Sequence, residues 1–429
     1  MIPSPSIKQL RFLRALSLRW QRRVIFIAGG LCVGLVAIGL AWASDYAQLL
    51  FRELLARFRY AAFVVTPLGF GVAVYLTNRF FPNTQGSGIP QAIAAREIES
   101  SSAREKLVGL RTGFGKVVMT LMGLLVGASI GREGPTVQVG ASIMFAIGRL
   151  SPSRQPGLIL AGAAAGVAAA FNTPIAGIVF AIEEMSRSFE TRANGLVFGT
   201  IILAGFTSLA LVGDYTYFGT TAATLGLSNG WLAVPVCGVV CGLAGGLFSR
   251  ALIAVPTHLP QIAKTWLQKH AVAFAVMCGF GVALCGFLSG GTVYGTGYVE
   301  ARDALHGASS VSIFYAPLKF AATALSSVCG LPGGIFSPSL SVGAGLGADI
   351  AQFFPKGAMG AVVLLGMVSY FAGVVQAPIT AFVIVEEMTG NHDMLVPLMA
   401  AAWIANAASR FVCPEGVYHA LSKRFLPHD

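Results

Sequence analysis

Arg132 and Glu133 stand side by side in Gly131-Arg132-Glu133-Gly134-Pro135, inside a stretch that is otherwise apolar, small or neutral from residue 117 to residue 148. A charged side chain at bilayer depth costs about 2.5–3.5 kcal/mol on insertion scales, so the few found there usually serve a function. The glycines and Pro135 break a plain helix at this point. A helix that restarts inside a membrane, with charges at the break, suits an ion site. Glu183 and Glu184 form a second acidic pair, at the end of FNTPIAGIVFAIEEM (171–185). Two such carboxylates would suit a membrane-embedded enzyme, but no nucleophile–base pair or metal-ligand set accompanies them. The seven cysteines lie in or beside apolar segments, and the six histidines are scattered with no HExxH among them. Cys237 and Cys241 share a helix face at i,i+4 spacing, which reads as small buried packing residues rather than a metal site or a disulfide. No metal, no cofactor and no enzymatic activity are expected.

The elements that must carry these residues belong to a membrane. Hydrophobic residues make up 55% of the chain and charged residues 11%, with 52 glycines and a mean hydropathy of +0.73. That is far from the average of soluble domains, and the glycines let helices approach closely. The net charge of +11 does not point to nucleic acid, because no basic stripe alternates with aromatics; basic cytoplasmic ends account for it better. Lys8, Arg11, Arg14, Arg19, Arg22 and Arg23 precede the apolar run 24–43 with no acidic residue among them. Residues 1–23 are therefore expected as a basic cytoplasmic segment. Ala41-Trp42-Ala43 has the look of a signal-peptide cleavage site, but the run exceeds a usual signal core and many such runs follow, which favours a retained transmembrane helix. Further apolar segments cover 60–75, 117–130, 174–182, 201–212, 231–248, 271–288, 313–328, 358–384 and 394–408. Several are shorter than the roughly 20 helical residues a bilayer core requires, so half-spanning and re-entrant helices are expected. Residues 414–429 form a short cytoplasmic tail with no room for a soluble domain.

The chain repeats itself. FNTPIAGIVFAIEEM resembles VQAPITAFVIVEEMTG (375–390), and GREGPTVQVG (131–140) resembles GIFSPSLSVG (334–343). Lys116 and Lys319 are 203 residues apart, Pro135 and Pro338 also 203, and Pro174 and Pro378 204. Two related halves, 24–212 and 231–413, follow, a construction that places a transporter's substrate site near the repeat interface. The alignment sets Glu133 against Phe336 and Arg132 against Ile335, pairs Glu183 with Glu387, and leaves Glu184 opposite Met388. The Glu183–Glu387 pair reads as structural, meeting helix ends. Each glycine-rich turn followed by proline exposes unpaired N–H groups at a helix start, and these bind anions. Gly86-Ser87-Gly88-Ile89-Pro90 is a third such start, with a hydroxyl between glycines. Three converging N-termini would cradle an anion without trapping it on a full positive charge.

GSGIP at 86–90, GREGP at 131–135 and GIFSP at 334–338, in that order within a repeated membrane domain, resemble the CLC chloride channel and transporter family over residues 60–420. The resemblance implies an all-α membrane protein of two inverted repeats of tilted, partly re-entrant helices, working as a homodimer with a pore in each subunit. It also implies a bacterial inner-membrane location with both termini cytoplasmic, and the lack of C-terminal regulatory domains is similar to bacterial members. Chloride, protons and membrane lipid are the partners it implies.

Residue by residue, the resemblance places an anion near Ser87, Gly88 and Ile89 and the amides of Ile335 and Phe336, with an outer site at the amides of Arg132, Glu133 and Gly134. Glu133 matches the gating glutamate; the competing reading is an ion pair with Arg132. Its carboxylate, itself an anion, would compete for the same N–H groups and leave when protonated. Glu184 matches the inner glutamate that passes protons in exchanging members, which implies exchange over passive conduction; the bland alternative is a solvated carboxylate beside Arg187. Tyr418, in Pro414-Glu415-Gly416-Val417-Tyr418, resembles the tyrosine that closes the inner side of the central site with the serine, or else is an interfacial belt tyrosine. Lys116 and Lys319 would lend positive potential to the pore, or snorkel to an interface. Gln91 stands where family members commonly carry an acid. Ser87 implies chloride, because nitrate-preferring relatives tend to have proline there and the fluoride-exporting branch lacks GSGIP and GREGP.

Overall fold

The structure, a computed structural model, describes residues 7–149, 152–185, 195–213, 216–226, 229–257, 260, 265–267, 269–307 and 312–426. Among them are eighteen α-helices and no β-sheet. The first half contains α1 (Ile7–Arg57), α2 (Ala62–Phe80), α3 (Ile89–Glu97), α4 (Ser101–Val108), α5 (Leu110–Leu125), α6 (Glu133–Gly148), α7 (Gln155–Phe171), α8 (Pro174–Glu183) and α9 (Gly195–Val212). The second contains α10 (Ala233–Thr257), α11 (Ala271–Leu288), α12 (Tyr298–His306), α13 (Tyr315–Val328), α14 (Phe336–Ala351), α15 (Met359–Val375), α16 (Pro378–Thr389), α17 (Leu395–Val412) and α18 (Val417–Ser422).

From α2 and α11 onward most elements pair: α3 with α12, α5 with α13, α6 with α14, α7 with α15, α8 with α16 and α9 with α17, while α4 and α18 have no counterpart among the described residues. α6 and α14 are 16 residues each, and α7 and α15 are 17 each. At 1.5 Å per residue these reach about 25 Å, short of a hydrocarbon core about 30 Å thick. Among the described residues, five helical stretches are long and apolar enough to cross a membrane: Ile25–Arg57, Ser101–Leu125, Gly230–Val255, Ala271–Leu288 and His392–Val412. The short helices are tolerable because protein surrounds them: α7 and α15 are buried along nearly their whole length. α6 packs on α7 through Gly140 and Gly162, where an added Cβ on either would overlap the other's carbonyl. Gly343 and Gly366 do the same for α14 and α15. Backbones this close are how small residues hold membrane helices together.

Three elements differ from the sequence reading. The run at 358–384 is not one helix: it ends at Gln376, which adopts φ 59°, and restarts at Pro378. Proline has no N–H to donate and disfavours a helical residue before it. Asn172, at φ 59°, breaks α7 from α8 ahead of Pro174 in the same way. The first helix is unbroken from Ile7 to Arg57, beyond the apolar run 24–43 at both ends. Its last turns are held by polar contacts described below. α7, absent from the apolar segments, is a full buried helix made mostly of alanine and glycine.

Candidate anion pathway

Three glycine turns meet at the centre of the fold. The Gly131 N–H donates to the Gly334 carbonyl at 2.7 Å, and the Gly334 N–H returns a bond to Gly131 at 2.8 Å. The Gly86 N–H donates to Leu331 at 3.2 Å, and the Gly333 N–H to Gly86 at 3.0 Å. A Cβ on Gly134 would lie 2.8 Å from the Ser87 carbonyl and 3.1 Å from the Gly334 Cα. GSGIP, GREGP and GIFSP are therefore in mutual contact, and α3, α6 and α14 all begin there. The first N–H groups of each helix have no intrahelical acceptor and carry the positive end of its dipole.

Two buried lysines fix the turns. The Lys116 ammonium donates to the carbonyls of Thr84 and Gly86, both at 2.6 Å. The Lys319 ammonium donates to Val293 at 2.9 Å and Gly295 at 2.8 Å. Both side chains are fully buried, so neither snorkels to an interface. The contacts of Lys319 expose a turn that the sequence reading passed over: Gly295-Thr296-Gly297, ahead of α12, is the twin of Gly86-Ser87-Gly88 ahead of α3.

Glu133 is fully buried at the first position of α6. Its Oε1 accepts from the Ser337 hydroxyl at 2.5 Å, while Oε2 has no hydrogen-bond partner among the described residues. Arg132 is not its ion-pair partner. The guanidinium instead meets Asp45 and the Ala41 carbonyl on α1, both at 2.7 Å, and lies 6.0 Å from the Tyr217 ring centroid. The Tyr217 phenol adjoins Ser337. Neither Ser337 nor Tyr217 was singled out in the sequence. Ser337 had a signal, since it occupies the position of Gly134 in the second half and brings a hydroxyl where its twin has none.

Two cavities approach this junction. One, of about 630 Å³, is lined by Ser87, Gln91, Ile335, Tyr418 and Arg424 among others. The other, of about 420 Å³, is lined by Asp45, Gln48, Arg52, Arg132, Tyr217 and Thr296 among others. Glu133 and Phe336 border neither and are fully buried. The Phe336 ring sits 4.8 Å from Phe371, 5.9 Å from Tyr418 and 6.0 Å from Phe171, centroid to centroid. The Tyr418 phenol is buried beside the Ser87 hydroxyl, not in an interfacial belt. Gln91 turns its amide N–H groups to the carbonyls of Asn83 and Gln85.

The acidic pair at the end of α8 is split. Glu183 accepts from the N–H groups of Ile379 (3.1 Å) and Thr380 (2.6 Å) at the start of α16. Glu387 accepts from Ile175 (3.1 Å) and Ala176 (2.6 Å) at the start of α8. Each half thus caps a helix of the other, and Glu183 is committed to that contact. Glu184 lies apart from both cavities, buried at the end of α8, with its Oε1 3.9 Å from His419 Nε2. Arg187 lies outside the described residues.

A family model described as the voltage-gated chloride channel matches residues 68–410, most of the chain. The chain belongs to that family, the CLC proteins. Among its relatives is the H(+)/Cl(-) exchange transporter ClcA of Yersinia pseudotuberculosis serotype IB (strain PB1/+), 30% identical over 426 residues, 92% of this chain and 86% of that protein. ClcA of Yersinia pestis bv. Antiqua (strain Angola) is also 30% identical, over 411 residues covering 91% and 81% of the two. A solved slow cyanobacterial Cl-/H+ antiporter superposes with a TM-score of 0.77 at 26% identity, covering 94% of this chain and 97% of that one. A CLC-type fluoride/proton antiporter shares the fold with a TM-score of 0.78 at 21% identity, covering 97% and 99%. The architecture is that of the CLC fold, all-α with two inverted repeats. Of the residues that its motifs single out, Ser87, Gly88, Ile89, Glu133, Gly134, Ile335, Phe336 and Tyr418 gather at one junction, whereas Glu184 lines neither of the two cavities.

Proposed function

We propose that this CLC-family chain carries chloride across a bacterial inner membrane in exchange for protons, as a homodimer with both termini in the cytoplasm. The observation that carries the reading is the meeting of three helix N-termini at Ser87, Gly134 and Gly334 with one buried, half-satisfied carboxylate, Glu133, among them. A dehydrated chloride would lie against the Ser87 and Tyr418 hydroxyls and the amides of Ile335 and Phe336, with the turn of Gly88 and Ile89 beside it. A second would take the amides of Arg132, Glu133 and Gly134. Amide and hydroxyl dipoles bind an anion strongly enough to replace its hydration and weakly enough to let it leave. Lys116 and Lys319 add positive potential and hold the turns' carbonyls away from the ion.

Glu133 is the gate. As a carboxylate it competes for the amides; once protonated it loses its hold on them and anions take its place. Each cycle then moves a proton with the gate and chloride through the vacated site. Glu184, buried and away from the inner cavity, supplies the proton from the cytoplasmic side. The test is the full-length protein in liposomes under a chloride gradient. Proton uptake against its own gradient is expected, and chloride flux with no proton movement would make the protein a passive channel.

A further inference from the structure

A buried proton-passing carboxylate requires a group that reaches solvent and gives protons up. Glu184 is 4% exposed in its side chain, and the imidazole 3.9 Å away, His419, is 17% exposed. Imidazole is the side chain that takes and returns a proton near neutral pH, and it does so with two nitrogens on opposite sides of one ring. His419 lies on α18, whose Val417, Tyr418 and Leu421 line the inner cavity. At 3.6 residues per turn, position 419 faces away from 417 and 421. The histidine thus reaches Glu184 by a side of the helix that does not open onto the anion's cavity.

Other charged and polar groups nearby have contacts of their own. Glu183 is held on the amides of α16. Glu415, ahead of α18, is paired at 2.7 Å with Lys423 just after it, both exposed, and Arg424 lines the anion cavity. The phenol of Tyr418, on the same helix, faces Ser87.

We propose that His419 is the proton relay between the cytoplasm and Glu184, on a path separate from that of chloride. Nδ1 takes a proton from solvent while Nε2 gives its own to the Glu184 carboxylate; the Nδ1–H ring then releases that proton to water and takes another at Nε2, which restores the starting tautomer. The 3.9 Å separation is spanned by one water or a small ring movement. This rests on the reading of Glu184 as a proton carrier.

The test compares His419→Ala, Glu184→Gln and the parent chain in liposomes, with proton and chloride fluxes both recorded. His419→Ala should lower coupled proton flux by about tenfold or more, the lower range of what a positioned acid–base group contributes. Imidazole added on the inner side should restore it, which a merely structural loss would not allow. Chloride flux in the Glu133→Gln background should be the same with and without His419→Ala. Wild-type proton flux in His419→Ala, a loss that imidazole does not restore, or a fall in chloride flux in that background would each overturn the relay. If Glu184→Gln keeps its proton flux, the reading of Glu184 itself falls. If Glu184→Gln loses it while His419→Ala does not, only the relay falls.

Discussion

The turns Gly86-Ser87-Gly88 and Gly295-Thr296-Gly297 are built alike. Their glycines take left-handed φ values of 66° and 96° in the first and 67° and 75° in the second. The leading glycine N–H donates to Leu331 at 3.2 Å in one and to Ala128 at 3.1 Å in the other. The hydroxyl accepts from the amide two residues on, at 3.3 Å for Ser87 and 3.4 Å for Thr296. A buried lysine clamps each. The difference is what the turn faces. Ser87 opens on the cavity of about 630 Å³ beside Tyr418, whereas Thr296, at the edge of the other cavity, has its amide and hydroxyl taken by the Gln48 carboxamide oxygen at 2.9 and 3.2 Å. A neutral oxygen from α1 fills in the second half the place left open in the first. The two copies share a scaffold and stop matching at two places: Glu133 against Phe336, and an open turn against an occupied one.

The largest test of that asymmetry is Glu133→Gln. With no carboxylate in either copy, proton movement should vanish while chloride still crosses; continued proton pumping would refute the gate. Next is the lysine pair. Lys116→Met and Lys319→Met should each lower stability by about 1.5–3 kcal/mol, the value of a hydrogen bond to a charged group, as read from thermal unfolding in detergent. Lys116→Met, whose turn carries Ser87, should weaken chloride binding by calorimetry more than Lys319→Met does; equal weakening would make the two turns functionally equivalent. Glu183→Gln and Glu387→Gln should each cost about 0.3–1 kcal/mol for a charge at a helix start, with Glu183→Gln the larger loss, since the Thr380 hydroxyl adds a bond to Glu183 at 2.8 Å where Glu387 meets only amides. Equal losses would mean that the Thr380 hydroxyl adds nothing to the cap. The smallest effect is Gln48→Ala, which should leave transport near the parent rate but admit bromide at Thr296, visible by anomalous scattering. An empty, intact turn in that variant would mean that occupancy by Gln48 is not what separates the copies.

Much of this was legible because charges are rare in such a chain and proline marks helix starts. Glu133 stood out as a charge in an apolar run, and Pro174 and Pro378 marked the helix starts that the structure contains. The constant offset aligned Lys116 with Lys319 before any contact was known. The twin turn was hidden because it departs from that offset: Gly86 and Gly295 are 209 residues apart, not 203, and Tyr298-Val299 replaces Ile89-Pro90. α7 was hidden because alanine and glycine are buried by close backbone approach rather than by hydrophobicity. Ser337, 204 residues from Glu133, and Asp45, on the helix facing Arg132, are partners that only folding brings together. The sequence separates a basic segment at 1–23 from the apolar run 24–43, and nothing local says that one helix joins them and continues to Arg57.

The reciprocal capping by Glu183 and Glu387 has a consequence for biosynthesis. Glu387 is 212 residues downstream of the Ile175 amide it holds. At 5–20 residues per second, the ribosome takes about 10–40 s to cover that distance. During that interval the first half is already made, yet the carboxylate that closes its last short helix does not exist. Its maturation is therefore timed by translation of the second half.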